Sequence, residues 1–260
     1  MGEFAVIIPM HEFGKENIEL LNKAVESVPK DIKVILSTKK GIDGRTLKGI
    51  DERVIRVSES DGDSFQELVN AAVDTIDEKW FSILEFDDTY SQIWLDNAKK
   101  YIEFMPNVSV FMFLEDIIDF NDKKYIGFGN AEAWASSFSN DIGYIDNDCL
   151  QNYFDFYLTG SIFNTSDWRE LGGLKPQIKL TFWYEFLLRA TNKGKKVYVI
   201  PKVGYNHTLG RKGSLVDTYR NELSEEETEF LFNLAKSEYL FHPSVEREPS
   251  KFIYKKVVKE

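Results

Sequence analysis

Near the start of the chain five apolar residues, Phe4-Ala5-Val6-Ile7-Ile8, stand in a row and are stopped by Pro9. An unbroken apolar run of this length reads as a strand buried on both faces, the situation of a central strand in a parallel sheet covered by helices. Behind it, Ile18, Leu21, Ala24, Val25 and Val28 recur at helical spacing from Lys15 to Val28, and Pro29 ends the pattern. Lys33 to Ser37 then carries a second apolar run, Val34-Ile35-Leu36. Strand, helix, strand with short links is a βαβ unit, which sets the two strands parallel with their C-terminal ends at one edge, where such sheets bind ligands.

The same grammar continues. Val54 to Val57 reads as a third strand, Ser64 to Ile76 as a helix with Phe65, Leu68, Val69, Ala72 and Ile76 inward, and Trp80 to Phe86 as a fourth strand. A helix from about Ser91 to Met105 and a strand from Val108 to Leu114 follow, and residues 115–150, rich in Asp, Asn and Gly, are expected to be irregular. Tyr157 to Asn164, a Gly172-Gly173 turn, a helix from Phe182 to Asn192 and a strand from Lys196 to Ile200 complete the readable core. An acidic amphipathic helix from Ser224 to Tyr239, with Phe230, Leu231, Leu234 and Ala235 inward, is expected to pack outside it. The division expected is a main domain at 1–215 and a helical or extended appendage at 216–260.

With 43% hydrophobic and 14% aromatic residues, 260 residues can bury a large core, so disordered and fibrous classes are excluded. A net charge of -11 argues against nucleic acid or an acidic membrane face as partner. Cys149 is the lone cysteine, which rules out an internal disulfide framework and a zinc cluster and fits a reducing compartment. Met1 leads straight into the first strand without a basic and apolar leader, and no apolar run approaches the ~20 residues of a membrane helix. A cytoplasmic protein with no transmembrane segment is expected.

The fourth strand runs into Glu85-Phe86-Asp87-Asp88. Alternation puts Glu85 and Asp87 on one side of the strand, so that both can converge on one divalent cation, and hard oxygen donors of this kind suit Mg2+ or Mn2+. A solvated acidic turn in an acidic protein is the plain alternative.

The order of these pieces resembles the family 2 glycosyltransferases with the GT-A fold, from Phe4 to about Ser214. The matching stretches are Val6-Ile7-Ile8-Pro9, the helix before the acid strand, and Ile83-Leu84-Glu85-Phe86-Asp87-Asp88 in place of the family's Leu-Asp-x-Asp-Asp. Thr159-Gly160-Ser161-Ile162-Phe163, Leu171-Gly172-Gly173-Leu174, the stretch Tyr184 to Arg189, and Lys193 to Tyr198 with Ile200-Pro201 follow in the family's order. The fold implied is α/β, a mostly parallel sheet flanked by helices. The activity implied is transfer of a sugar from a nucleoside-diphosphate sugar to a hydroxyl of a glycan or other acceptor, with the cation on Glu85, Asp87 and Asp88. The resemblance sets the donor against Pro9, His11 and Glu12 after the first strand, Ser37 after the second, Asp87, and a late segment holding His207, Arg211 and Lys212.

The chain departs from that pattern at three places. Glu85 stands for the first Asp of the metal motif, and Leu36-Ser37-Thr38 offers hydroxyls where the family has a base-contacting Asp. Aligning on Arg189 puts Phe182-Trp183 where the family has Glu-Asp, and neither side chain can accept a proton. Glu185 is the nearest acid on that helix, rotated by about 200 degrees from the position required. Asp167 or Glu170 can stand in from the preceding segment, and a retaining mechanism needs no such base. The rival reading is a catalytically degenerate GT-A-fold protein with a binding or particle-assembly role. Its protein partner would meet the C-terminal tail, where Tyr239-Leu240-Phe241-His242-Pro243 is apolar.

Overall fold

A computed structural model describes residues 3–135, 141–214 and 224–237. The chain runs β1 (Phe4–Pro9), α1 (Lys15–Ser27), β2 (Lys33–Lys39), β3 (Val54–Ser60), α2 (Phe65–Val73), β4 (Trp80–Ile83), β5 (Thr89–Tyr90) and α3 (Trp94–Phe104). It continues through β6 (Val108–Asp119), β7 (Tyr125–Gly129), β8 (Tyr144–Ile145), α4 (Asn147–Asn152), β9 (Ile162–Asn164) and α5 (Thr165–Leu171). The last elements are α6 (Phe182–Asn192), β10 (Lys196–Leu209) and α7 (Glu225–Ser237).

Among the described residues one ten-stranded sheet has the order β3-β2-β1-β4-β9-β6-β10-β5, with β7 added on β6 and β8 on β10. Strands β1 to β4 pair in parallel, and β9 inserts antiparallel between β4 and β6. The expected parallel βαβ start is thus present, in register Ile7 to Ile35 and Ile7 to Ile83. Its cause is visible in β1: Phe4, Val6 and Ile8 face a core shared with α1 and α3, while Ala5 and Ile7 face one shared with α2, α5 and α6. Burial on both faces is what an uninterrupted apolar run encodes. Helix α2 is started by a capping box, Ser64 with Glu67.

Several elements differ from the sequence reading. Residues 115–150 are not all irregular: β6 continues to Asp119 and β7 returns along it. Strand β10 extends past Ile200 to Leu209, absorbing Pro201 at a bulge between Ile200 and Val203. Only Ile162–Asn164 of the stretch from Tyr157 is strand, and the next residues form α5, capped by Asn164 and ended by Gly172 at φ 80. On α7 the packed ring is Phe232, which contacts Phe154 and Tyr184, whereas Phe230 is exposed. The tail Tyr239 to Pro243 lies outside the described residues. Among the described residues no helix is long and apolar enough to cross a membrane.

Candidate functional site

The C-terminal ends of β1, β2 and β4 meet at one edge of the sheet, and β10 brings a distant segment over it. After β4, the Leu84 N–H donates to the Ile7 carbonyl at 2.9 Å, so strand pairing persists up to the acids. The Glu85 N–H donates to the Tyr205 hydroxyl at 3.1 Å, and the Asp88 N–H to the Glu85 carbonyl at 3.2 Å, closing a turn. That turn is fastened to β10. Asp88 Oδ2 lies 3.0 Å from His207 Nδ1, Asp88 Oδ1 accepts the Thr208 N–H at 2.6 Å, and the Thr208 hydroxyl donates to the Asp87 carbonyl at 3.0 Å.

Donor atoms of Glu85, Asp88 and His207 all lie within 4.8 Å of one another. Asp87 is held apart from them: it accepts from Arg211 Nε at 2.5 Å, and Arg211 also reaches Glu12 at 3.0 Å and lies 4.8 Å above the Phe86 ring. Of the three acids expected to share an ion, Glu85 and Asp88 are brought together, with His207 beside them, while Asp87 is engaged by Arg211. Past the end of β4 the chain turns, so strand alternation no longer sets which side each acid takes.

A further acid acts on this group from β6. Glu115 on β6 is fully buried, and among the described residues neither carboxylate oxygen has a hydrogen-bond partner. It sits beside Tyr205 and opposite Gly129, where an added Cβ would come within 3.0 Å of the Tyr157 ring and 3.4 Å of the Glu115 Cβ. Sequence reasoning missed it because it falls in a stretch read as irregular. The available signal was the largely apolar run Val108 to Leu114, which continues through Glu115 and Asp116 into Ile117 and Ile118 without a Gly or Pro to stop the strand.

These charges distort one another. Burial, then repulsion from Asp88, pushes the Glu85 carboxyl up to about 8 against the pull of His207. Burial drives Glu115 well above the carboxylate range, and burial and Asp88 raise Asp87 although Arg211 opposes them. Burial disfavours the His207 imidazolium, but the field and hydrogen bond of Asp88, with Glu115 and Glu85, outweigh it and lift the ring to about 10. A group with this surplus of carboxyls, one left without any hydrogen bond, is suited to a cation. Two carboxylates and one imidazole offer a mixed set of oxygen and nitrogen donors.

The other sequence candidates fall into two classes. Pro9 ends β1, and two residues on His11 has Nε2 3.4 Å from Glu12, with burial lowering its basicity. Lys212 is exposed beside this group. Ser37 is buried and its hydroxyl donates to the Leu68 carbonyl at 2.6 Å, so it is not presented to a ligand. Asp167 and Glu170 both bind Lys195, at 2.7 and 2.6 Å. Glu185 is fully buried, grips Arg189 through both oxygens at 2.8 and 2.9 Å, and meets Lys175 at 3.0 Å. Asp167 is thus paired with Lys195 and Glu185 with Arg189 and Lys175, and the structure does not bring either acid to Glu85 and Asp88.

Glu85 and His207 also line a cavity of about 750 Å3. Phe65, Tyr157, Phe182 and Trp183 form part of its wall, and α7 contributes Glu229 and Phe232. Phe182 and Trp183 pack on Phe65 with centroids 5.4 and 5.8 Å away, so aromatic surface occupies the place where the resemblance implies acids.

No protein-family profile matches the chain, and no curated protein is similar to it in sequence. Its solved structural neighbours include S. aureus TarS 1-349, at TM-score 0.55 and 15% identity over 80% of this chain and 60% of that one. The same fragment in complex with UDP-GlcNAc matches at TM-score 0.57 and 16% identity, over 84% and 61%. Mannosyltransferase PcManGT from Pyrobaculum calidifontis, in complex with GDP-Man and Mn2+, matches at TM-score 0.59 and 15% identity, over 92% and 69%. The chain thus spans about three fifths of the TarS fragment. At these identities the likeness establishes architecture: a mixed α/β sheet flanked by helices, of the GT-A-like kind seen in glycosyltransferases.

Proposed function

We propose that the protein is a metal-dependent glycosyltransferase of the family 2 type, moving a sugar from a nucleoside-diphosphate sugar to a hydroxyl acceptor. The observation that carries this reading is the group Glu85, Asp88 and His207 at the C-terminal edge of the parallel strands, with Glu85 and His207 lining a cavity of about 750 Å3. These three residues would hold Mn2+ or Mg2+, and a cation bound there supplies charge neutralisation for the leaving diphosphate.

The chain's own groups divide the remaining work. Arg211, already poised over Phe86 between Asp87 and Glu12, offers a guanidinium to the diphosphate, with His11, Glu12 and Lys212 beside it. In the transfer the acceptor oxygen bonds to the anomeric carbon as the bond from that carbon to the diphosphate breaks, and the hydroxyl proton passes to a base. Phe182 and Trp183 cannot take it. The carboxylates lining the cavity are Glu85, Asp155, Glu225 and Glu229. We place the reaction in the cytoplasm.

Calorimetry with UDP-, GDP- and dTDP-sugars tests the reading: one donor is expected to bind only with Mn2+ or Mg2+ present and to lose that binding on Asp88→Ala. Absence of metal-dependent donor binding across the panel refutes it.

A second reading, a binding or assembly protein without turnover, is favoured by the aromatic pair at the base position, the tie of Asp87 to Arg211 and the closed Ser37 hydroxyl. Donor binding without any release of sugar, to water or to acceptors, would select it.

A further inference from the structure

Aromatic side chains from four separate segments meet in the cavity wall: Phe65 of α2, Phe154 and Tyr157 of the loop before β9, Trp183 of α6 and Phe232 of α7. Phe154 remains 47% exposed although its ring lies 4.0 Å from Phe232 and 6.1 Å from Tyr184. Packing holds it in place while leaving surface for a ligand. The room, about 750 Å3, is in the span of roughly 300–1,000 Å3 of small-molecule sites.

Charge narrows the ligand class. Away from the proposed ion site, Asp155, Glu225 and Glu229 line the cavity with Lys179. A phosphorylated or sulfated acceptor would set its charge against this wall. An alkyl chain would suit the rings but would press hydrocarbon on Thr159, Thr181 and Glu229, which also line the cavity. A neutral sugar chain meets both demands, laying its C–H faces on aromatic rings and its hydroxyls on the polar groups between them.

We infer that this cavity is the acceptor subsite and takes a neutral oligosaccharide stacked on Phe154 and Trp183, an assignment that rests on the transferase reading above. The experiment uses the full chain with Mn2+ and measures calorimetric titrations of cellopentaose, maltopentaose and chitopentaose. A fully sulfated pentasaccharide and dodecyl alcohol are the contrasting probes. At least one neutral pentasaccharide binds, Phe154→Ala weakens it by about fivefold, and the sulfated chain binds at least about tenfold more weakly. Glu229→Gln narrows that last gap. Because Trp183 is partly buried, Trp183→Ala can unfold the domain, and the more exposed Phe154 carries the test.

Tighter binding of the sulfated chain, displacement of the sugar by dodecyl alcohol, or no neutral sugar bound would each overturn the inference. Donor binding is read in the same samples. Metal-dependent donor binding without saccharide binding refutes the acceptor assignment alone, whereas loss of metal-dependent donor binding refutes the transferase reading itself.

Discussion

His207 Nδ1 and Asp88 Oδ2 lie 3.0 Å apart across 119 positions of sequence, and this contact fastens the acid turn after β4 to the far end of β10. Both side chains are buried. Breaking a buried charged pair by removing one partner costs roughly 3–5 kcal/mol, because the other is left without compensation. Asp88→Ala is expected to lower stability by that order in urea unfolding, to drop the His207 titration towards its ordinary range in NMR, and to abolish Mn2+ binding. An unshifted His207 would show that Asp88 does not set its charge.

The metal-free protein should lose stability as the medium becomes alkaline. Glu85 is raised from 4.5 to about 8 in the fold, and Glu115 is raised well above 4.5. A carboxyl with a raised folded pKa supports the fold fully only below its unfolded value and loses that support as pH climbs through the folded one. His207, raised from 6.5 to about 10, acts in the same direction at higher pH. Thermal midpoints measured between pH 5 and 9 without metal should therefore fall, most steeply above neutrality, and added Mn2+ should recover part of the loss. A midpoint that rises over this window contradicts the assignment of a protonated acid cluster.

Glu115 offers a sharper form of the same test. Replacing it by glutamine keeps its shape and removes its charge. Glu115→Gln is expected to raise the metal-free thermal midpoint at pH 8 and to weaken Mn2+ affinity by about tenfold, the scale on which supporting carboxylates act. Unchanged Mn2+ affinity would reduce Glu115 to a buried acid without influence on the site.

What the sequence made legible follows from what burial writes into it. β1, β2 and β4 are covered on both faces, so they appear as continuous apolar runs, and α1 and α2 carry their apolar stripe between a stop at Pro29 and a capping box at Ser64. The far halves of β6 and β10 alternate buried with partly exposed positions and bury polar groups among the apolar ones. There Glu115, Asp116, Lys202 and Asn206 interrupt the hydrophobic signal, and these are the halves that carry the site. Glu85 and Asp88 could be singled out because they end a readable strand. Their partners His207 and Arg211 are reached only through the family resemblance, since pairings such as Asp87 with Arg211 span 124 positions and depend on where β10 lands.

Gly160 supports the site from below. Its φ is 76, and a Cβ there would come within 2.3 Å of the Tyr205 ring, whose hydroxyl accepts the Glu85 N–H. Gly160→Ala combines an unfavourable left-handed conformation with overpacking, together about 2–4 kcal/mol. Denaturant unfolding should show that loss, and Mn2+ affinity should fall with it because displacing Tyr205 frees Glu85. A stable Gly160→Ala variant with normal Mn2+ affinity would mean that Tyr205 does not position Glu85.

Glu185 separates structural acids from those of the site. On α6 it holds Arg189 through both oxygens, and Arg189 in turn donates to the carbonyls of Leu171 and Gly173, tying the helix to the turn after α5. Lys175 adds a second cation at 3.0 Å. Glu185→Gln halves this compensation, and with full burial the loss should approach the roughly 3–5 kcal/mol of a broken buried pair. Because Glu185 does not line the cavity, Mn2+ and donor affinities of the folded fraction should stay unchanged. Weakened donor binding at undiminished stability would return Glu185 to the list of functional acids, and with it the idea that α6 supplies the base.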